Sequence, residues 1–283
     1  MIPVWRLIPC LTASGAEQMA IDTWLLEQHR LGLHPPTLRF YQWQPIAISL
    51  GYHQKQYPPA WRQLRWQGQP IDLVRRPSGG RAVLHQGDLT YAVIGSGWIG
   101  TRHQVYEQIC QFLIAGWRSL GVELHFGAAG RGYIHNPNCF GTATAADLVT
   151  AKGMKFIGSA QLRRGPAILQ HGSMRLNADL ALFQQVFGAA DAAVGDLAGT
   201  IEPSPDRLPD RLPDLLPDLP MPDLPMPDLP MPDLPMPDLP MPDLPTIIQS
   251  LTTAAIEQFG IQVVSQPLTE QERRSAVLMF DQA

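Results

Sequence analysis

Two periods of apolar recurrence run through the first two thirds of the chain. Ser14-Gly15-Ala16-Glu17 has the Ser-x-x-Glu form of a helix-capping box. Behind it Ala16, Ala20 and Trp24, with Ile21 and Leu25, recur at helical spacing until Gly32 ends the run. A second helix is predicted over 104–120, with Val105, Ile109, Phe112, Gly116 and Leu120 turned inward. Period-two stretches predict strands over 38–43, 46–51, 71–75 and 89–94. A meander follows: 146–150, a turn at Lys152-Gly153, 155–163, a turn at Gly165-Pro166, then 168–175. Near the end, 246–259 carries an amphipathic helical pattern, and Thr269-Glu270-Gln271-Glu272 is a second capping box before a short helix. The strands come in hairpins and the long helices are not regularly interleaved. That predicts an α+β fold, with mixed or antiparallel sheets and flanking helices, rather than a doubly wound sheet.

Between 203 and 245 the periodicity vanishes. The segment is dominated by Pro, Asp, Leu and Met, and settles into a Met-Pro-Asp-Leu-Pro repeat from Met221 to Pro245. Proline this dense removes backbone donors and fixes φ, so neither helix nor sheet is expected there. An extended or disordered insertion is expected, tolerated as added loop length or used as a docking strip for a proline-recognising partner. The chain thus divides into a main domain over 1–200, the insertion over 203–245, and C-terminal helices over 246–283 that pack back on the main domain.

Composition narrows the function classes. A net charge of -4 and a pI near 6.0 give no basic field for phosphate, which argues against a nucleic-acid partner. No apolar run approaches the roughly 20 residues that cross a bilayer, and Met1-Ile2-Pro3-Val4-Trp5-Arg6 lacks a signal-peptide layout, so no membrane is involved and a cytoplasmic location is expected. The three cysteines, Cys10, Cys110 and Cys139, are odd in number and widely spaced, suggesting neither a disulfide framework nor a metal site. Cys10 and Cys110 read as small buried hydrophobes.

Three clusters are too polar and too glycine-rich to be scaffold alone. In Arg75-Arg76-Pro77-Ser78-Gly79-Gly80-Arg81, two arginines end a strand, and the Ser-Gly-Gly turn lets backbone N–H groups approach a ligand; His85 follows in extended chain. Alone, this is equally a plain hairpin. Cys139, in Asn136-Pro137-Asn138-Cys139-Phe140-Gly141, sits among turn formers, where reactive groups and idle thiols alike are found. In the third cluster, Lys155, Ile157 and Ser159 share one strand face, and Phe156, Gly158 and Ala160 the other. Gln170-His171-Gly172-Ser173 lies on the next strand. Lys155 then faces a cavity or is an ordinary exposed lysine.

Taken together and in this order, these clusters resemble the biotin/lipoate ligase and transferase catalytic-domain family. The resemblance extends through Met19-Ala20-Ile21-Asp22, Leu38-Arg39-Phe40-Tyr41-Gln42-Trp43 and Ser49-Leu50-Gly51-Tyr52, covering most of the chain outside the repeat. Arg81 stands where the ATP-using lipoate ligases typically carry a third glycine, and nothing is long enough for their accessory domain. Asp88-Leu89-Thr90-Tyr91, Cys139-Phe140 and Gln170-His171-Gly172-Ser173 are similar to the LipM-type octanoyltransferase branch. Gln86, where the family usually has an acidic residue, is expected to loosen a hydrogen bond to the Gly-rich turn.

The resemblance implies transfer of an octanoyl or lipoyl group from acyl-carrier protein to a lysine of a lipoyl domain, either glycine cleavage H protein or a 2-oxoacid dehydrogenase E2. Cys139 would carry the acyl group as a thioester and Lys155 would line the acyl site. Arg75, Arg76, Ser78, Gly79, Gly80, Arg81, His85, Gly158, Ser159, Ala160 and His171 would contact substrate, with the arginines facing a phosphopantetheine arm or an acidic partner surface. No cofactor is required. The alternatives are an ATP- and Mg-dependent ligase, an amidotransferase acting between lipoyl domains, and a silent carrier-binding protein.

Overall fold

The computed structural model describes residues 2–127, 147–188 and 241–281. Strand β1 (Val4–Ala13) leads into helix α1 (Gly15–Arg30), β2 (Thr37–Trp43) and β3 (Ala47–Leu50). After a 3-10 turn come the short ribbon β4 (Arg65–Trp66) and β5 (Gln69–Pro70), then β6 (Asp72–Arg75), β7 (Val83–His85) and β8 (Asp88–Gly95). Helix α2 (Arg102–Ser119) and β9 (Leu124–Phe126) are followed by β10 (Leu148–Thr150), β11 (Lys155–Arg164), β12 (Ala167–Arg175) and α3 (Leu180–Phe187). Helix α4 (Leu244–Phe259), β13 (Gln262–Ser265) and α5 (Glu270–Asp281) close the chain.

An eight-stranded sheet runs β13-β1-β2-β8-β12-β11-β10-β9, parallel at β13-β1-β2 and antiparallel elsewhere. A three-stranded sheet, β6-β3-β7, stands beside it. Strand β8 lies near the middle and is buried on both faces, so it reads as a nearly unbroken apolar run. Leu89, Tyr91 and Val93 pack with α2 and α4, whereas Ala92 and Ile94 pack with α1. The expected α+β architecture with flanking helices is what forms.

Both C-terminal helices pack on the rest of the molecule for identifiable reasons. Gly116 opens the α2 surface so that Leu251 of α4 comes close; a Cβ there would lie 2.8 Å from Leu251 Cδ2. Ala276 of α5 joins the core against α1, and Glu272 is fixed to buried Arg6 at 2.7 Å. Burial alone would raise the Glu272 pKa, but the Arg6 guanidinium and the Thr269 N–H bring it down to about 2.

Local readings differ from the structure at several points. Ala16 is exposed, and only half of the first capping box forms: Ser14 Oγ accepts from Glu17 N, while the Glu17 carboxylate turns to Arg273. Cys10 is exposed rather than buried, because the β1–β2 pairing shifts register between Ile8 and Leu11 and turns the intervening residues outward. The last repeat unit is not free of helix. Asp243 caps α4 by accepting from Thr246 N at 2.9 Å, and Pro245 sits in the first turn, where no intrahelical N–H bond is lost. Met241 and Leu244 rest on the core. The earlier repeat units lie outside the described residues.

Candidate active site

A cleft with about 430 Å³ of space opens where the two sheets meet. Met19 of α1, Tyr41 and Trp43 of β2, and Ser49, Val83 and His85 of the small sheet form one side. Gly158, Ser159 and Ala160 of β11 and His171, Gly172 and Ser173 of β12 form the other, with Arg76, Gly80 and Thr90 between. Of the residues singled out from the sequence, the cleft brings together Arg76, Gly80, His85, Gly158, Ser159, Ala160 and His171. Arg75, Gly79, Arg81 and Lys155 do not line it, and Ser78 reaches it through His171.

The Gly-rich turn is held by backbone contacts. Gly51 and Gly80 cross so closely that a Cβ on Gly51 would lie 1.8 Å from Gly80 O, and Gly80 has a φ of 96°. The first clash leaves no room for a side chain, and the φ suits only glycine. Tyr52 N donates to Ser78 O at 2.8 Å. Arg76 threads the turn, donating to Ser49 O, Gly79 O and Arg81 O, while Arg75 donates to Gly51 O, Tyr52 O and Gln54 O. These guanidinium groups shape the loop from inside. Gln86 does not touch the turn: its Oε1 accepts from Asp179 N at 2.6 Å, fixing the start of α3.

Two serine–histidine–aspartate chains converge on the cleft. In the first, Ser78 Oγ lies 2.5 Å from His171 Nε2, and His171 Nδ1 lies 2.8 Å from Asp22 Oδ2. Asp22, fully buried, also receives Tyr41 OH at 2.8 Å and Arg39 Nη1 at 3.0 Å. Burial first, and then the Asp22 charge, push the Tyr41 hydroxyl well above its ordinary pKa, so it stays a donor. In the second chain, Ser49 Oγ lies 2.9 Å from His85 Nε2, and His85 Nδ1 lies 2.8 Å from Asp88 Oδ2. Asp88 also receives Thr90 and Ser173 hydroxyls, and Thr90 accepts from Trp43 Nε1. Trp43 stacks on the His85 ring at 3.7 Å. Burial lowers the His85 pKa more than Asp88 restores it.

Lys155 is buried, its Nζ 2.7 Å from Asp147 Oδ1. Alternation placed it with Ile157 and Ser159, away from Gly158. Instead the β10–β11 pairing slips by one residue between Leu148↔Ile157 and Val149↔Lys155. The resulting bulge sends Phe156 into the α2 core beside Ile157 and lays the Lys155 chain over Gly158. A Cβ at Gly158 would lie 3.0 Å from Lys155 Cε, so Gly158 is the seat of that side chain. Cys139 lies outside the described residues. Cys110 is buried, its thiol pushed up to about 12 by desolvation, and it accepts from Gln170 rather than reacting.

Sequence reasoning gave no role to Asp22, Asp88 or Ser49. Asp22 and Ser49 sit inside apolar runs and Asp88 follows the Gln86-Gly87 turn, so their bonds to the histidines emerge only in the structure. Among the described residues no cluster of three or more His, Cys, Asp or Glu could hold a metal, and no helix is long and apolar enough to cross a membrane.

With this geometry in place, comparison with known proteins is direct. A family model for the lipoyl protein ligase A/B catalytic domain matches residues 14–205. The octanoyltransferase LipM of Carboxydothermus hydrogenoformans is 39% identical over 181 residues, covering 62% of this chain and 66% of the relative. That of Kyrpidia tusciae is 36% identical over 212 residues, covering 70% and 76%. Among solved structures, a lipoate-protein ligase A bound with ATP aligns with a TM-score of 0.66 at 20% identity, over 98% of this chain and 94% of its own. A bi-partite lipoate protein ligase from Thermoplasma acidophilum aligns with a TM-score of 0.65 at 19% identity, over 99% and 92%. Those two likenesses are of fold. The family match covers well over half of the chain, which therefore belongs to the lipoyl protein ligase A/B catalytic-domain family.

Proposed function

We propose that this protein is an octanoyltransferase that moves an octanoyl group from acyl-carrier protein to a lysine of a lipoyl domain. The observation that carries the reading is the 36–39% identity to relatives named octanoyltransferase over the domain that holds the cleft. The chemistry agrees. An acyl thioester is already activated, so exchange onto a thiol is nearly balanced in free energy and the final amide is more stable; neither ATP nor a metal is needed. Cys139 is the thiol, forming a thioester acyl-enzyme that divides one difficult step into two. Lys155, held over Gly158 by Asp147, is the cation that favours the Cys139 thiolate or the developing oxyanion.

The test is to mix the protein with octanoyl-acyl-carrier protein in the absence of ATP and measure intact mass. One octanoyl adduct, released by hydroxylamine and absent in Cys139→Ala, is expected. Transfer that needs ATP and survives Cys139→Ala would replace this reading with a ligase.

A further inference from the structure

Charge is unevenly spread over the molecule. Residues 44–87 carry six basic side chains and one acidic, in a chain whose net charge is -4. They build the lobe around the small sheet, which has its own core of Ile48, Leu50, Trp61, Val83 and Phe183. Helix α3 packs on that core and adds no charge of its own. Asp72, the one acid, is half-buried and turned to the main domain, where it accepts from Gly15 N at 3.3 Å. Lys55, Arg62 and Arg65 are exposed, and among the described residues none of the three pairs with a carboxylate. Arg62 donates instead to Tyr57 Oη at 3.1 Å, and Arg65 to Gly68 O at 2.9 Å. Away from the lobe, Arg6, Arg30, Arg39, Arg273 and Arg274 are each held by a carboxylate. Exposed cations that their own chain does not neutralise present a field to something else.

The lobe borders the cleft. Gly51 crosses Gly80 of the cleft wall, and Tyr52 N donates to Ser78 O, so the loop that carries Tyr52, His53 and Lys55 stands at the cleft's rim. Arg75 ties the same loop down through Gly51 O, Tyr52 O and Gln54 O. Tyr52 is 57% exposed there, an aromatic of the type that anchors protein interfaces. Arg62 and Arg65 lie on the 3-10 turn and on β4, outside the cleft lining. That spread decides between two partners. A lysine acceptor must press its own surface to the cleft, because its side chain is short. An acyl group on a long flexible arm lets its carrier sit to one side. We propose that the small-sheet lobe is the docking surface for an acidic carrier that delivers the acyl group on such an arm. Lys55, Arg62 and Arg65 face its carboxylates, and Tyr52 makes the contact nearest the cleft. The proposal rests on the octanoyltransferase reading and names where its donor binds. Charge at such a surface acts on encounter more than on chemistry, and salt screens it.

The test uses the full chain and an octanoyl-acyl-carrier protein of net negative charge. Lys55→Glu, Arg62→Glu and Arg65→Glu are made singly and together, each checked for folding by circular dichroism. Acyl loading is timed with the carrier and, separately, with octanoyl-N-acetylcysteamine, a small thioester that has no protein surface. The triple variant should lower kcat/KM for the carrier by at least about tenfold, through KM, and leave loading from the small thioester unchanged. Added salt should slow carrier loading of the wild type and have little effect on the triple variant. Enzyme loaded from the small thioester should pass its acyl group to a lipoyl domain at the wild-type rate. Wild-type carrier loading in the folded triple variant overturns the docking surface. So does a defect confined to the lipoyl-domain step, which would give the lobe to the acceptor, or a wild type that loads from the small thioester alone. Should the arginine variants fail to fold, Lys55→Glu decides, by a loss specific to the carrier that salt removes. Failure of the wild type to load from either donor would overturn the octanoyltransferase reading, and the docking surface with it.

Discussion

The two serine–histidine–aspartate chains use the same residue types, end in the same cleft and are equally buried, yet their surroundings differ. Asp22 is balanced by a permanent cation, Arg39, and its serine belongs to the loop beside Gly79 and Gly80. Asp88 sits among neutral hydroxyl donors, and its serine is locked in the middle of β3 under Arg76. Three residues in a row do not define a function. What each carboxylate is already bonded to determines what its loss would cost.

The sharpest way to break this comparison is at the carboxylates. Asp22→Ala leaves the Arg39 cation buried and uncompensated, and should cost about 3–5 kcal/mol in urea unfolding. Asp22→Leu combined with Arg39→Met should recover most of that loss, since the cost lies in the orphaned charge. A single-variant cost below about 1 kcal/mol would mean that the ion pair does not hold this region. Asp88→Ala strands neutral donors only, and hydroxyl groups can rotate toward other acceptors. Its cost should be smaller, about 2 kcal/mol, and no change at Arg39 should relieve it.

The pH dependence of stability gives a finer separation. The His85 pKa is depressed on folding, so its contribution is complete above the unfolded value near 6.5 and fades as pH falls below it. His85→Asn should flatten the denaturant midpoint just below that value. The Glu272 pKa is depressed from 4.5 to about 2, so its contribution is present above 4.5 and is lost as pH falls toward 2. Glu272→Gln should flatten only that lower limb. One variant altering both windows would show that the two sites unfold as a coupled unit. The smallest expected effect is at Gln86→Ala. Losing the hydrogen bond to Asp179 N should cost about 1 kcal/mol by thermal or urea unfolding, leaving octanoyl transfer intact.

How far the sequence carried depended on how local each interaction is. Hairpin turns and the Gly-rich loop are set by residues a few positions apart and were legible, whereas the start of α4 was not, because its Asp243 cap lies within the proline-rich repeat. The second chain was half legible: His85 and Asp88 are three residues apart, but Ser49 comes from another strand. The first chain was not legible as a unit, because Asp22 and His171 lie 149 positions apart and Asp22 hides within the buried face of α1. Lys155 was singled out by its motif, but its direction was misread. Strict alternation fails at the bulge, and a bulge depends on the partner strand rather than on the residues it displaces.

The junction at Asp243 has a genetic consequence. The unit Met-Pro-Asp-Leu-Pro supplies everything the start of α4 uses: Met241 and Leu244 against the core, Asp243 as the cap, and Pro245 in the first turn. Every copy between Met221 and Pro245 is identical. Replication slippage that adds or removes whole units therefore always leaves the same five residues ahead of Thr246, whichever copy is gained or lost. The gene can change length at this point while the helix inherits an unchanged beginning. Only a change between Asp243 and Thr246 would alter the spacing on which the cap depends.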